Sequence, residues 1–294
     1  MRLRRSLVWC RGNDLKKYQA ALEGSVDVIV LDLEDGVVVS EKPFARECVS
    51  NILKNRAPGA KEHAVRINAP GSPFFDLDLA AILPGVPDAI RLPKCETVDY
   101  VLQLDKILDS YEKEHGLPHN RIELILMIET PLGIMNVYQL ATCTDRVTAV
   151  GIGMEDLTGA IGVPRYYELN SHDMLYAKQK LVLEAKAAGV QALDSGTLFL
   201  GELKYMAEDS VFSRRTGFDG RSIKDVAQAD VVNAAFSPSE DEVKWANLII
   251  SAYQEAVAKG ESDLYVNDRF IDPPVIMKAQ NILKRNELIL ERKH

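Results

Sequence analysis

The stretch "LILMIETP" (124–131) carries five apolar residues and then Glu129, Thr130 and Pro131. The arrangement recurs: one apolar run ends in Asp32, Glu34 and Asp35, others in Arg66 and Asn68, in Lys94, in Glu155 and Asp156, and in Asp194. A charge held against apolar walls has to be paired, hydrogen-bonded or metal-bound, because burying it alone costs roughly several kcal/mol or more. Several acids with no histidine nearby in sequence suit a hard divalent cation. Mg2+ prefers oxygen ligands and usually takes one or two protein carboxylates, leaving its other positions to water and substrate oxygens. Glu129 and Asp156, on successive runs, form the natural pair.

The elements that must position these residues are short runs rich in β-branched residues: "SLVWC" (6–10), "VDVIVLDLE" (26–34), "HAVRIN" (63–68), "DAIRLP" (88–93), "IELILMIE" (122–129), "RVTAVGIG" (146–153), "GVQALD" (189–194) and a weaker "GRSI" (220–223). Helical segments separate them. Parallel strands covered on both faces look continuously apolar, and eight such β/α units favour a closed (β/α)8 TIM barrel over an open sheet. The active site of such a barrel gathers at the C-terminal ends of its strands, which is where the charged residues fall. The clearest helix spans 171–189: Ser171 caps it, Met174, Ala177, Leu181 and Ala185 give its apolar face, and Gly189 ends it. Residues 1–236 thus read as a catalytic barrel. Two further helices, over 237–260 and 272–293, form a C-terminal helical extension within 237–294.

A structural reading competes with the chemical one. Acids at strand ends also cap the helices that follow, so Asp35 or Asp156 taken alone serves equally well as a cap. It has more difficulty with an arginine, a lysine and several acids converging on one rim. His115 and His119, in "HGLPH", sit around Gly and Pro and read as exposed loop residues rather than metal ligands. The glycines of "GIGMEDLTGAIG" lack the spacing and the lysine of a phosphate loop.

Composition narrows the classes. With 43 acidic against 35 basic residues in 294, the net charge of -8 argues against a nucleic-acid binder, which draws its affinity from clustered Lys and Arg. The four cysteines, at 10, 48, 95 and 143, form no CxxC pair and suit a reducing compartment. The run behind "MRLRR" is shorter than a secretory core, and no stretch reaches the ~18–20 apolar residues of a membrane span, so the expectation is a cytoplasmic protein with no membrane partner.

The chain resembles the citrate lyase beta-subunit family, within the aldolase/citrate lyase superfamily that includes malyl-CoA, citramalyl-CoA and citryl-CoA lyases. The resemblance runs almost end to end. It is carried by "RRSLVWCRGN", "DVIVLDLEDGVVVSEKPFAR" (27–46), "VRIN" (65–68), "IRLPKCET" (90–97), "IETPLGIMN" (128–136), "VGIGMEDLTGAIG" (150–162), "GFDG" (217–220), "VNAAFSPSEDEVKWA" (232–246) and "RFIDPPVIMKAQNIL" (269–283).

The resemblance implies Mg2+ held by Glu129 and Asp156, Glu34 and Asp35 as acids behind the metal shell, and Arg66 as the group that grips a keto acid. Asp272 matches an acid that reaches the active site of an adjoining subunit and moves a proton at the acetyl-CoA methyl carbon, which implies a homotrimer or homohexamer. Arg5 and Lys94 are candidates for binding phosphate or carboxylate, with a rim salt bridge as the equal alternative for Lys94. The implied reaction is Mg2+-dependent cleavage of a 3-hydroxyacyl-CoA to acetyl-CoA and a 2-keto acid, or the reverse condensation. An aldolase acting on a free hydroxy-keto acid and a non-catalytic subunit of a lyase complex are the alternatives. Three features depart from the family pattern: Arg11 stands before Gly12 in place of Pro, "KDVAQ" (224–228) replaces Ile-His-Pro-x-Gln, and Phe199 stands where relatives often carry an acid.

Overall fold

A computed structural model describes residues 2–57, 59, 61–167, 172–197, 202–260 and 264–292. The chain divides into two compact units, Arg4–Asn233 and Ala234–His294 with Met1–Leu3.

In the larger unit, β1 (Ser6–Arg11), β2 (Val28–Asp32), β3 (Glu62–Arg66), β4 (Ala89–Leu92), β5 (Glu123–Ile128), β6 (Val147–Ile152), β7 (Gln191–Asp194) and β8 (Gly220–Ile223) form a closed parallel barrel in chain order, β1 pairing with both β2 and β8. Most strands are shorter than their apolar runs, and β2 shows why. Past Asp32 the N–H groups of Glu34 and Gly36 donate to the Asp32 carboxylate, at 3.0 and 3.1 Å, so the backbone satisfies itself locally and leaves the ladder.

Side chains alternate across a strand, so every second residue faces the barrel axis. Leu7, Val28, Val30, Ala64, Ala89, Ile125, Ala149 and Leu193 make one buried cluster there, with Trp9 packed against it. The same alternation carries Arg66, Arg91, Met127 and Glu129 inward at higher levels of the barrel. Below that cluster the N-terminal mouth is closed by Arg4, which is 1% exposed. It pairs with Glu62 at 2.8 Å and with Glu123, and donates to Thr148 at 2.8 Å. Gly220 makes room for this plug, since a Cβ there would lie 1.8 Å from the Arg4 carbonyl oxygen.

The helix anticipated over 171–189 is Leu175–Ala187. Ser171 lies outside the described residues, and Met174 precedes the helix with a left-handed φ of 56°, so it is not a member of the buried face. Ala177, Leu181 and Ala185 are buried as anticipated, joined by Val182, and Gly189 turns the chain away at φ +75°. A helix missed by the sequence reading, Ala229–Phe236, follows β8.

The smaller unit contains helices Glu240–Lys259 and Pro273–Glu291, with a two-stranded hairpin of Tyr265–Val266 and Arg269–Phe270 between them. Ser239 and Glu242 form a capping box on the first helix, and Asp272 caps the second by accepting from the Val275 N–H at 3.2 Å. Ala246, Ile249, Ile271 and Ala279 make the core of this unit. No helix among the described residues is long and apolar enough to cross a membrane.

Candidate active site

Glu129 follows β5 directly and is 2% exposed. Its Oε2 accepts a hydrogen bond of 3.0 Å from the backbone N–H of Lys94, a residue held at a left-handed φ of 52°. A non-glycine residue in that region costs of order 1–3 kcal/mol, and such strain clusters at functional sites. Gly153 makes way on the other side: a Cβ there would fall 2.5 Å from Glu129 Cγ and 2.7 Å from Oε1. Burial, and then the charge of Asp156, raise the pKa of Glu129.

Glu155 and Asp156, adjacent in the first turn of helix Met154–Ile161, have different fates. Glu155 is bound by Arg165 at 2.7 Å and by the Tyr167 hydroxyl. Asp156 has no hydrogen bond or ion pair among the described residues, and it lines the same pocket as Glu129. One buried carboxylate with a single backbone donor and one unengaged carboxylate, each repelling the other, are a donor set that fits a hard divalent cation.

Arg66 lines this pocket too. Asp32 and Arg66 are register partners across β2 and β3, and the guanidinium donates to both Asp32 oxygens at 2.7 Å. Arg66 Nη1 lies 2.7 Å from Glu34, and the guanidinium carbon sits 4.4 Å from the centroid of the Trp9 ring. Burial alone would lower the Arg66 pKa, but Asp32, Glu34 and Glu129 more than offset it and the value is raised. Burial pushes Glu34 up to about 7 against the pull of Arg66, with Asp35 and Glu129 adding to the rise. Lys94 forms a rim salt bridge to Glu34 at 3.3 Å and to the exposed Asp35 at 3.6 Å.

Arg5 requires a correction. It precedes β1 and so belongs to the N-terminal end of the barrel, away from the pocket, where its backbone and guanidinium donate to Asp27 at 2.7 and 2.9 Å. It therefore ties β1 to the start of β2 instead of binding an anion at the rim. Asp194, the acid ending β7, is buried against Lys178 at 3.2 Å. Phe199 lies outside the described residues.

Four residues of the site escape the sequence reading in whole or part. Trp9 and Lys224 line the pocket, Arg165 reaches it from the segment after helix Met154–Ile161, and Asp32 orients Arg66. Trp9 was detectable, because it stands two residues beyond the inward Leu7. A second polar group, Asp109, Glu112 and His119, has both its acids taken up by Arg146, at 2.7 Å each, and His119 is exposed.

Comparison with known proteins agrees with this architecture. Residues 5–225 match the HpcH/HpaI aldolase/citrate lyase family. The chain is 32% identical to the citrate lyase subunit beta of Leuconostoc mesenteroides subsp. cremoris over 96% of its own length and 93% of that protein's. It is 31% identical to the human mitochondrial citramalyl-CoA lyase over 98% and 87% of the two chains. Among solved structures, the CitE protein of Mycobacterium tuberculosis in complex with magnesium, acetoacetate and coenzyme A superposes with a TM-score of 0.75 at 25% identity, covering 97% of this chain and 98% of that one. The chain belongs to the HpcH/HpaI aldolase/citrate lyase family. It is an enzyme of the lyase class, on the same closed barrel as its relatives.

Proposed function

We propose that the protein is a divalent-metal-dependent carbon–carbon lyase that cleaves a 3-hydroxyacyl-CoA of the citryl, citramalyl or malyl type to acetyl-CoA and a 2-keto acid, or runs the condensation. The observation that carries this reading is the convergence of buried Glu129, unengaged Asp156 and Arg66 on one pocket. The relatives named for citrate lyase and citramalyl-CoA lyase, and the solved relative with magnesium and coenzyme A, support it.

Glu129 and Asp156 hold Mg2+, which when bound supplies Lewis-acid stabilisation to a substrate oxygen. Arg66, held by Asp32 and Glu34, presents its guanidinium to the negative charge that develops as the substrate's hydroxyl carbon becomes a carbonyl. The hydroxyl proton passes to water as its oxygen becomes the carbonyl, and the electron pair of the broken C–C bond stays on the thioester fragment as an enolate. Asp272 of a neighbouring chain relays a proton to the enolate's CH2 carbon, which becomes the methyl of acetyl-CoA. A homotrimer or homohexamer would bring that acid to the site. Glu34 and Asp35 act by positioning: Glu34 on Arg66, and both on Lys94, whose backbone holds Glu129.

The test is to incubate the purified protein and Mg2+ with citryl-CoA, citramalyl-CoA, malyl-CoA and free hydroxy-keto acids, with and without EDTA. Release of a keto acid from at least one CoA ester, abolished by chelation, is the expected result. Turnover confined to free acids would favour the aldolase reading, and no turnover would overturn the assignment.

A further inference from the structure

Lys224 follows β8 directly and lines the pocket with Arg66, Glu129 and Asp156. Its backbone is held on both sides: the N–H donates to Gln228 Oε1 at 3.1 Å, and the carbonyl accepts from Lys17 Nζ at 2.6 Å. The side chain has no such anchor. Among the described residues its ammonium makes no ion pair, and it lies 5.3 Å from the centroid of the Trp9 ring.

The same ring is approached by the guanidinium carbons of Arg66, at 4.4 Å, and Arg91, at 4.5 Å. Arg66 is matched by Asp32 and Glu34. Arg91 is fully buried, donates to Met127 Sδ at 2.7 Å and Ser222 Oγ at 3.2 Å, and keeps Nη1 without a partner. Three cations on one indole are a poor arrangement by themselves, because a cation–π contact contributes only about 0.5–2 kcal/mol and the cations repel one another. Arg66 is matched within the protein, whereas Lys224 makes no ion pair among the described residues and Arg91 keeps a nitrogen unpartnered, so this side of the pocket presents positive charge to a substrate anion.

A 2-keto monocarboxylate brings a single carboxylate, which the reading above assigns to the metal and Arg66. A dicarboxylate brings one more. We propose that Lys224 is a specificity residue that receives this second carboxylate, so that the keto acid released or condensed is a 2-keto dicarboxylate rather than a monocarboxylate. The inference rests on the reading that this pocket holds the keto-acid half of the substrate.

Calorimetric titration of the full-length protein in Mg2+ tests it, with oxaloacetate, pyruvate and coenzyme A as probes against wild type, Lys224→Met, Lys224→Arg and Glu129→Gln. Wild type should bind oxaloacetate more tightly than pyruvate. Lys224→Met should lose about 10–100-fold more affinity for oxaloacetate than for pyruvate, the range of a hydrogen bond to a charged group, and Lys224→Arg should recover most of it. Equal losses for both acids, no preference in wild type, no binding of either acid, or a loss confined to coenzyme A would overturn the proposal. Failure of the metal-site reading looks different: both acids would bind Glu129→Gln as they bind wild type, whatever Lys224 does.

Discussion

Asp32 and Arg66 face each other across β2 and β3 as register partners, and both carboxylate oxygens of Asp32 accept from the Arg66 guanidinium at 2.7 Å. Burial opposes ionisation of Asp32, yet the hydrogen bonds and charge of Arg66 win, and the Asp32 pKa is lowered. The strand ladder thus sets the direction in which Arg66 presents its remaining nitrogen.

Asp32→Asn keeps the size of the side chain but loses the bidentate carboxylate. Misplacing a positioned group by about 1 Å costs around 100-fold in rate, and kcat/KM for the cleavage should fall by about that factor. Steady-state kinetics with the preferred CoA ester checks this, with metal affinity as the control that should move much less.

Gly153→Ala tests the metal clasp without removing a ligand. The glycine's φ of −102° suits any residue, so the effect comes from the new methyl meeting Glu129 Cγ at 2.5 Å. Affinity for Mn2+, read by electron paramagnetic resonance, should drop by about 10–100-fold, the usual effect of disturbing groups that support a metal ligand. The circular dichroism spectrum should be retained.

Much of this was legible in the sequence, for a physical reason. Parallel strands covered on both faces advertise themselves as apolar runs, and a carboxylate at the end of one, such as Glu129, stands out by contrast. The choice between Glu155 and Asp156 was less legible, because it depends on Arg165 and Tyr167 reaching back from ten or more residues away to occupy Glu155. Arg5 falls at the far end of the barrel, as the barrel rule itself requires: residues ahead of a strand lie at the opposite end from those after it. Lys224 is hard to place from sequence, since the run before it, "GRSI", carries a glycine, an arginine and a serine and one apolar residue.

His63 makes stability depend on pH. It is fully buried on β3, with Nδ1 2.7 Å from the Lys61 carbonyl and Nε2 3.1 Å from the Tyr18 hydroxyl. Burial lowers its pKa from the ordinary 6.5, the Lys61 carbonyl opposing in part. The unfolded chain therefore takes up this proton first, so the contribution is full above pH 6.5 and is lost as pH falls through the lower, folded value. Melting temperature measured from pH 8 to 5 should decline below about 6.5, and His63→Gln should flatten that decline relative to wild type. An unchanged slope in the variant would show that other groups are responsible.

The central claim is that Glu129 and Asp156 together hold one divalent cation on which turnover depends. Mn2+ titration followed by electron paramagnetic resonance, run beside keto-acid release in wild type, Glu129→Gln and Asp156→Asn, tests it most directly. The account predicts one tight site per chain in wild type, lost in both variants together with turnover, while their melting temperatures show that they remain folded. A variant that keeps wild-type metal affinity, or that loses the metal and still releases keto acid at the wild-type rate, would contradict it.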